Sequence, residues 1–248
     1  MLHKKEFRLI LTNNSSAKIN MAIDKALTIS YEKDDMPILR FYTWENSFTI
    51  GAGQDFESYE NLKDIYKNNC SKRITGGGVL FHGHDISYSL VLSNTEFGNL
   101  SVKQSYEKIC QFLLEFYKKV GLNPTFVKDS EYIKLKKNEF CQVGFEAYDI
   151  IVDGNKIGGN AQKRNKKLIF QHGSIPILKT KEDKRVGISL EDLDIHLSFE
   201  EALNRLIRAF EECFDAELIL SQLSQIENEN LNKILEGKWN DFPTKNRF

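Results

Sequence analysis

Lys72-Arg73-Ile74-Thr75-Gly76-Gly77-Gly78-Val79-Leu80-Phe81-His82 sets a basic pair before three consecutive glycines and an apolar run that closes on a histidine. Three glycines together weaken any helix or strand, so regular structure does not explain them. Glycine lacks a Cβ and lets a ligand approach the backbone closely. A tight turn whose N–H groups face an anion or a carbonyl fits the pattern, with Arg73 adding charge. A bare structural turn is the alternative. A second glycine cluster, Gly154-Asn155-Lys156-Ile157-Gly158-Gly159, favours the first reading.

Upstream of the loop, residues 7–11 read as a strand. Ser15 or Ser16 caps a helix with Ile19, Ala22, Ile23, Ala26 and Leu27 on one face. Pro37 breaks that pattern, Ile38–Tyr42 and Phe48–Ile50 read as strands, Gly51-Ala52-Gly53 as a turn and 57–69 as a polar helix. Downstream, 86–92 is a strand with partial alternation, and Ser101 opens a helix that stops at Gly121. Short strands and loops fill 123–140. Strands at 148–152 and 167–170 follow, the first ending in the hairpin signal Asp153-Gly154. Ser198-Phe199-Glu200-Glu201 is a capping box for a helix with Phe199, Ala202, Leu203, Leu206, Phe210, Cys213 and Phe214 inward. From Gln225 the chain is polar, with one helix through Trp239. Mixed strands, hairpins and helices predict an α+β fold of mixed, largely antiparallel sheets flanked by helices. Residues 1–248 are expected to form a single catalytic domain, with a helical C-terminal segment from about 198.

The chain has 248 residues, 41% hydrophobic and 28% charged, the balance of a soluble globular protein. A net charge of −1 gives no basic field for nucleic acid. No apolar run is long enough for a membrane span, and the N-terminus lacks a signal-peptide core. Cys70, Cys110, Cys141 and Cys213 form no metal-ligand spacing and read as reduced thiols, which points to the cytoplasm.

Four side chains are candidates for chemistry. Lys156 lies between glycines that leave room for a ligand beside its ammonium group, which can polarise a carbonyl, neutralise a phosphate or exchange a proton. The alternative is an ordinary solvated turn lysine. Cys141 precedes Gln142-Val143-Gly144 and fits no apolar stripe, unlike Cys110 and Cys213, which sit on helix faces as filler. A nearby lysine makes such a thiol a thiolate, and a thiolate with a lysine suits acyl transfer through a thioester. His82 and His172 each end an apolar strand before a glycine, so they either line one cleft or only brace loops. His82-Gly83-His84-Asp85 imitates a metal-ligand cluster, but residues two apart share a strand face only where the strand is regular, and no metal is expected.

Together these residues resemble the lipoate–protein ligase and octanoyltransferase family, which shares the biotin-ligase catalytic fold. The resemblance rests on Asn20-Met21-Ala22-Ile23-Asp24, on Pro37 through Trp44, on Lys72 through His82 and on to Tyr88-Ser89, on Asp153 through Gln162, and on Gln171-His172-Gly173-Ser174-Ile175. Lys25 stands where an acidic residue is usual. The resemblance implies that Lys156 contacts the acyl carbonyl. It implies an acyl site among Arg73, Gly76, Gly77, Gly78, Val79, His82, Tyr88, Gly158, Gly159, Ala161 and His172, with the tunnel near Val79, Phe81 and Tyr88. Two activities are compatible with it.

An octanoyltransferase takes octanoate from octanoyl–acyl carrier protein onto a cysteine. It then passes the acyl group to a lysine of a lipoyl domain, on 2-oxoacid dehydrogenase E2 subunits or the glycine cleavage H protein. Cys141, fifteen residues before Lys156, matches the placement of that cysteine, and the chain stops short of the extra ligase domain. This activity needs no cofactor. A ligase makes an acyl-adenylate from ATP with Mg2+, with Lys156 between the acyl carbonyl and the α-phosphate, Arg73 on the phosphate and Cys141 dispensable. Gly78 is the ligase-like feature, because transferases often carry Arg there. A non-catalytic relative that binds an acyl group or a lipoyl domain is the third possibility.

Overall fold

The computed structural model describes residues 4–97, 100–130, 146–180 and 187–237. The elements in chain order are β1 (Lys5–Ser15), α1 (Ala17–Ser30), β2 (Ile38–Trp44), β3 (Ser47–Ile50), α2 (Glu60–Ile65), β4 (Cys70–Lys72), β5 (Leu80–His82), β6 (Asp85–Ser93), α3 (Val102–Lys119), β7 (Thr125–Phe126), β8 (Ile150–Val152), β9 (Asn155–Lys156), β10 (Gly159–Arg164), β11 (Leu168–Pro176), α4 (Phe199–Phe214), β12 (Ala216–Leu220) and α5 (Gln225–Leu235). Six strands form the main sheet in the order β10-β11-β6-β2-β1-β12. Its β10/β11, β11/β6 and β6/β2 pairs are antiparallel, and β1 runs parallel to both β2 and β12. Two three-stranded sheets, β4-β3-β5 and β7-β8-β9, complete the α+β fold.

Strand periodicity builds the main sheet. In β6, Ile86, Tyr88, Leu90 and Leu92 join the core beneath α3 and α4, with Phe112, Phe116 and Phe210. Val91 turns to the other face, where Ile23, Leu27 and Tyr31 cover it. The alternating positions Asp85, Ser87 and Ser89 are buried but polar. So one face of β6 is all core, and the other is core at one end and a polar site at the other. Each fully buried aliphatic or phenyl side chain contributes about 1.5–3 kcal/mol.

The helices start where their serines predict. Ser16, not Ser15, caps α1, and Ser101 and Ser198 each form a capping box, with Gln104 and Glu201. Cys110 is buried filler, as its stripe predicts, and burial pushes its thiol up to about 12. Cys213 departs from expectation and is exposed. Phe214 stacks on Phe210 with centroids 4.4 Å apart and packs edge-on to Phe7, which leaves Cys213 outside. The helix expected over 57–69 is shorter, because Lys67 and Asn68 adopt left-handed backbone (φ 50° and 60°) after α2. The strand β12 was not foreseen from the sequence; α5 begins at Gln225 as expected but ends at Leu235, short of the expected Trp239, which itself lies outside the described residues.

Candidate active site

The Lys156 side chain is set by a hairpin. Asp153 and Gly154 both have positive φ, 49° and 77°, which is the type I′ geometry that Asp-Gly favours. The turn pairs Ile151 with Lys156. Asp149 lies two residues before Ile151, in the turn just ahead of β8, which brings it diagonal to Lys156. Lys156 Nζ donates to Asp149 Oδ2 at 2.6 Å, and both side chains are buried. The Glu146 N–H donates to the same Oδ2 at 2.7 Å. Burial pushes the Asp149 carboxyl above its ordinary range, while the Lys156 charge and its hydrogen bond oppose that rise.

The glycine loop is held from behind. Arg73 Nη1 donates to Thr49 O (3.0 Å) and Thr49 Oγ1 (2.8 Å), and Nη2 donates to Gly78 O (2.5 Å). Its guanidinium thus ties Thr49 of β3 to the Gly78 carbonyl of the loop while it also lines the cavity described below. Gly51 backs the loop so closely that an added Cβ would stand 2.0 Å from Gly77 O. Gly77 itself has φ 103°.

The two histidines are braced alike. His82 Nδ1 lies 3.1 Å from Asp85 Oδ2, and its Nε2 lies 2.8 Å from Thr49 Oγ1. His172 Nε2 lies 2.6 Å from Thr75 Oγ1, and its Nδ1 lies 3.6 Å from Asp24 Oδ2. A carboxylate facing Nδ1 assigns the proton to that nitrogen, so each Nε2 accepts from a threonine hydroxyl. Burial lowers the pKa of both rings, which keeps them neutral near pH 7. Trp44 stacks on His82 with centroids 3.8 Å apart. Asp24 also accepts from Arg40 Nη1 (2.7 Å), Ser89 Oγ (2.8 Å) and Tyr42 OH (3.0 Å), so a buried ionic network underlies His172.

One cavity of about 690 Å3 collects most of these groups, within the roughly 300–1,000 Å3 of ligand sites. Lys156, Arg73, Gly76, Gly77, Gly78, His82, Gly159, Ala161 and His172 all line it. Met21, Tyr42 and Trp44 give it an apolar wall. Four expected residues, Val79, Phe81, Tyr88 and Gly158, are not among its described lining. Val79, with Phe81, packs against Phe48, Ile50, Leu62 and Tyr66, because strand alternation sends Leu80 and His82 to the cavity instead. Tyr88 faces the α3 core, 5.1 Å from the Phe112 ring, and braces the site by donating to Asn160 Oδ1 at 2.9 Å and by backing Gly173. Gly158 (φ 77°) is a packing glycine, since a Cβ there would stand 2.2 Å from Ser174 O. Cys141 lies outside the described residues. His84 is buried, and among the described residues no cluster of His, Cys, Asp or Glu is arranged to hold a metal. The sequence reading missed Asp149, Asp24, Arg40, Asp85 and Thr49 as members of the site.

A buried lysine–carboxylate pair and a glycine loop on one cavity, in this sheet arrangement, define a protein of the biotin/lipoate ligase catalytic fold. The chain belongs to the lipoyl protein ligase A/B catalytic domain family, whose model matches residues 16–183. The octanoyltransferase LipM of Bacillus subtilis (strain 168) is 29% identical over 96% of this chain and 97% of its own. The octanoyltransferase LipM of Halalkalibacterium halodurans is 33% identical over 72% of this chain and 68% of its own. Among solved structures, lipoate-protein ligase A bound with ATP superposes with a TM-score of 0.74 at 22% identity, covering 93% of this chain and 94% of that one. A bipartite lipoate protein ligase from Thermoplasma acidophilum, described with its E2 lipoyl domain, gives 0.74 at 22% identity over 94% and 93%. These two likenesses concern the fold alone. Among the described residues no helix is long and apolar enough to cross a membrane.

Proposed function

We propose that the chain is an octanoyltransferase that moves octanoate from octanoyl–acyl carrier protein, through a thioester on Cys141, to a lysine of a lipoyl domain. The observation that carries this reading is Lys156, buried in the wall of the glycine-loop cavity, in a chain whose octanoyltransferase relative matches it over nearly its whole length. In the first step the Cys141 thiolate attacks the carrier thioester. A new C–S bond forms, the old one breaks, and the departing thiolate takes up a proton. In the second step the acceptor amine attacks the Cys141 thioester, an amide forms, the amine gives up a proton and Cys141 leaves as thiolate. Lys156 donates to the carbonyl oxygen as it gains charge in both steps. Exchange between thioesters is near balance and the amide is the stable product, so no ATP is consumed. Burying the six methylenes of the tail stabilises the complex by about 5 kcal/mol at about 0.8 kcal/mol each.

The acceptors on this reading are lipoyl domains of 2-oxoacid dehydrogenase E2 subunits or the glycine cleavage H protein. The test is intact mass after incubation with octanoyl–acyl carrier protein. A hydroxylamine-labile octanoyl adduct, absent in Cys141→Ser, is expected. Full transfer by the serine variant, or product formed only with ATP, Mg2+ and free acid, would overturn the reading in favour of the ligase.

A further inference from the structure

Six polar side chains on the cavity have their hydrogens committed inside the protein. Tyr42, Ser87 and Ser174 form one row across β2, β6 and β11, and His172 lies two residues along β11 on the same face. Trp44, two residues past Tyr42, stacks on His82. All six line the cavity. Asp85 Oδ2 accepts from Ser174 Oγ (2.7 Å), Ser87 Oγ (3.1 Å) and His82 Nδ1 (3.1 Å). Trp44 Nε1 donates to Ser87 Oγ at 3.0 Å. Asp24 Oδ2 accepts from Tyr42 OH at 3.0 Å and faces His172 Nδ1 at 3.6 Å. These hydrogens converge, directly or through Ser87, on two buried carboxylates that are not among the described lining. Resting on this cavity being the acyl site, we propose that Asp85, with Asp24 beside it, is a specificity-determining residue. The two carboxylates draw the hydrogens of the polar floor inward, so that the floor receives an alkyl tail and rejects a tail bearing a hydrogen-bond acceptor.

An ionised carboxylate suits this task because it only accepts, and it has room for about four bonds. The Gly83 N–H takes the fourth place on Asp85, on Oδ1 at 3.3 Å. A tail oxygen buried on this floor gives up its water partners and meets no donor, whereas methylenes give up nothing and gain burial. Donors line the cavity from other elements, among them Lys103 on α3 and Lys156 on β9. The discrimination therefore belongs to the floor and not to the whole cavity.

The test is binding of two free acids to the full chain, 7-methyloctanoate and 7-oxo-octanoate. They share length, branch point and carboxyl, and differ in a methyl or an oxygen near the tail's end. Calorimetry gives the ratio of their affinities, and infrared difference spectra read the ketone, isotopically labelled at its carbonyl carbon. In wild type the bound ketone should absorb at the frequency it has in an alkane, which tests both carboxylates. Asp85 Oδ2 holds three of the floor's hydrogens, so in Asp85→Asn either orientation of the amide leaves at least one without an acceptor. The ketone then captures it. Its stretch should fall, and the affinity ratio should shift towards the oxo acid by about five-fold or more, the least that a buried acceptor without a partner costs. A lowered stretch in wild type would overturn the proposal, and that measurement needs no variant to fold. Equal loss of affinity for both acids in Asp85→Asn, with the ketone unshifted, would mean that the carboxylate only supports the fold, which also overturns it. So would failure of 7-methyloctanoate to bind. Neither acid requires carrier protein, ATP or Cys141, so failure of the transferase reading, seen as no octanoyl adduct on Cys141, is a separate result.

Discussion

Replacing Gly51 by alanine should disable the site from behind it. The new Cβ would lie 2.0 Å from Gly77 O and 2.9 Å from Gly77 C. Carbon–oxygen contacts ordinarily stop at about 3.3 Å, so the two strands of backbone must part by more than about 1 Å. The loop has little freedom to retreat. Ala52 N donates to Thr75 O at 2.8 Å, Arg73 Nη2 to Gly78 O at 2.5 Å, and Thr75 Oγ1 meets His172 Nε2 at 2.6 Å. Overpacking of this kind costs about 1–3 kcal/mol. That lowers Tm by several degrees, at about 2–4 °C per kcal/mol for a chain of this size. The larger effect is on catalysis, because a misplacement of about 1 Å costs about 100-fold. Octanoyl transfer to a lipoyl domain, measured as kcat/KM beside a thermal melt, should show both losses. Gly53→Ala is the control, since no atom lies within 4 Å of the Cβ it would add. Wild-type kcat/KM in Gly51→Ala would refute the claim that this contact positions the loop.

Within the loop, Gly77→Ala should cost about 1–3 kcal/mol in a denaturant titration, because φ is 103° there, whereas Gly76→Ala, with no atom within 4 Å of its Cβ, should melt like wild type. Lys156→Arg retains charge but replaces a compact ammonium with a planar fork, so single-turnover transfer should fall by at least about 100-fold. Stability should fall as pH drops below about 6.5. The folded state lowers the pKa of His82 and His172 from 6.5 by burying them, so the unfolded chain takes up protons that the folded chain refuses. A second loss should follow as pH falls from 3.8 towards 2. Burial alone would raise Asp85, but His82 and the Ser174 hydroxyl hold it down to about 2. Urea midpoints across this range check both, and a flat profile between about pH 7.5 and 5 would contradict the neutral, buried histidines.

What could be read from the sequence was local. The serine caps of α1, α3 and α4 announce themselves, because cap and partner lie three residues apart. The network below His172 does not, since Asp24, Arg40 and Ser89 come from α1, β2 and β6 and meet only when the sheet has formed. Strand β12 was hidden for the same reason: its pairing with β1 spans nearly the whole chain, and its outer residues are exposed. Val79 and Leu80 were exchanged because the loop's exit phase, which decides which alternate side chain faces the cavity, depends on Gly77 and Gly78 and not on hydrophobicity. The Asp149–Lys156 pair lies between these cases. Asp-Gly fixes a two-residue turn, the turn fixes Ile151 opposite Lys156, and Asp149, in the turn just ahead of β8, is then diagonal to the lysine. Every step of that inference uses residues within one hairpin. The carboxylate that meets Lys156 therefore lies seven residues earlier in the chain, close enough for one hairpin to bring the two together.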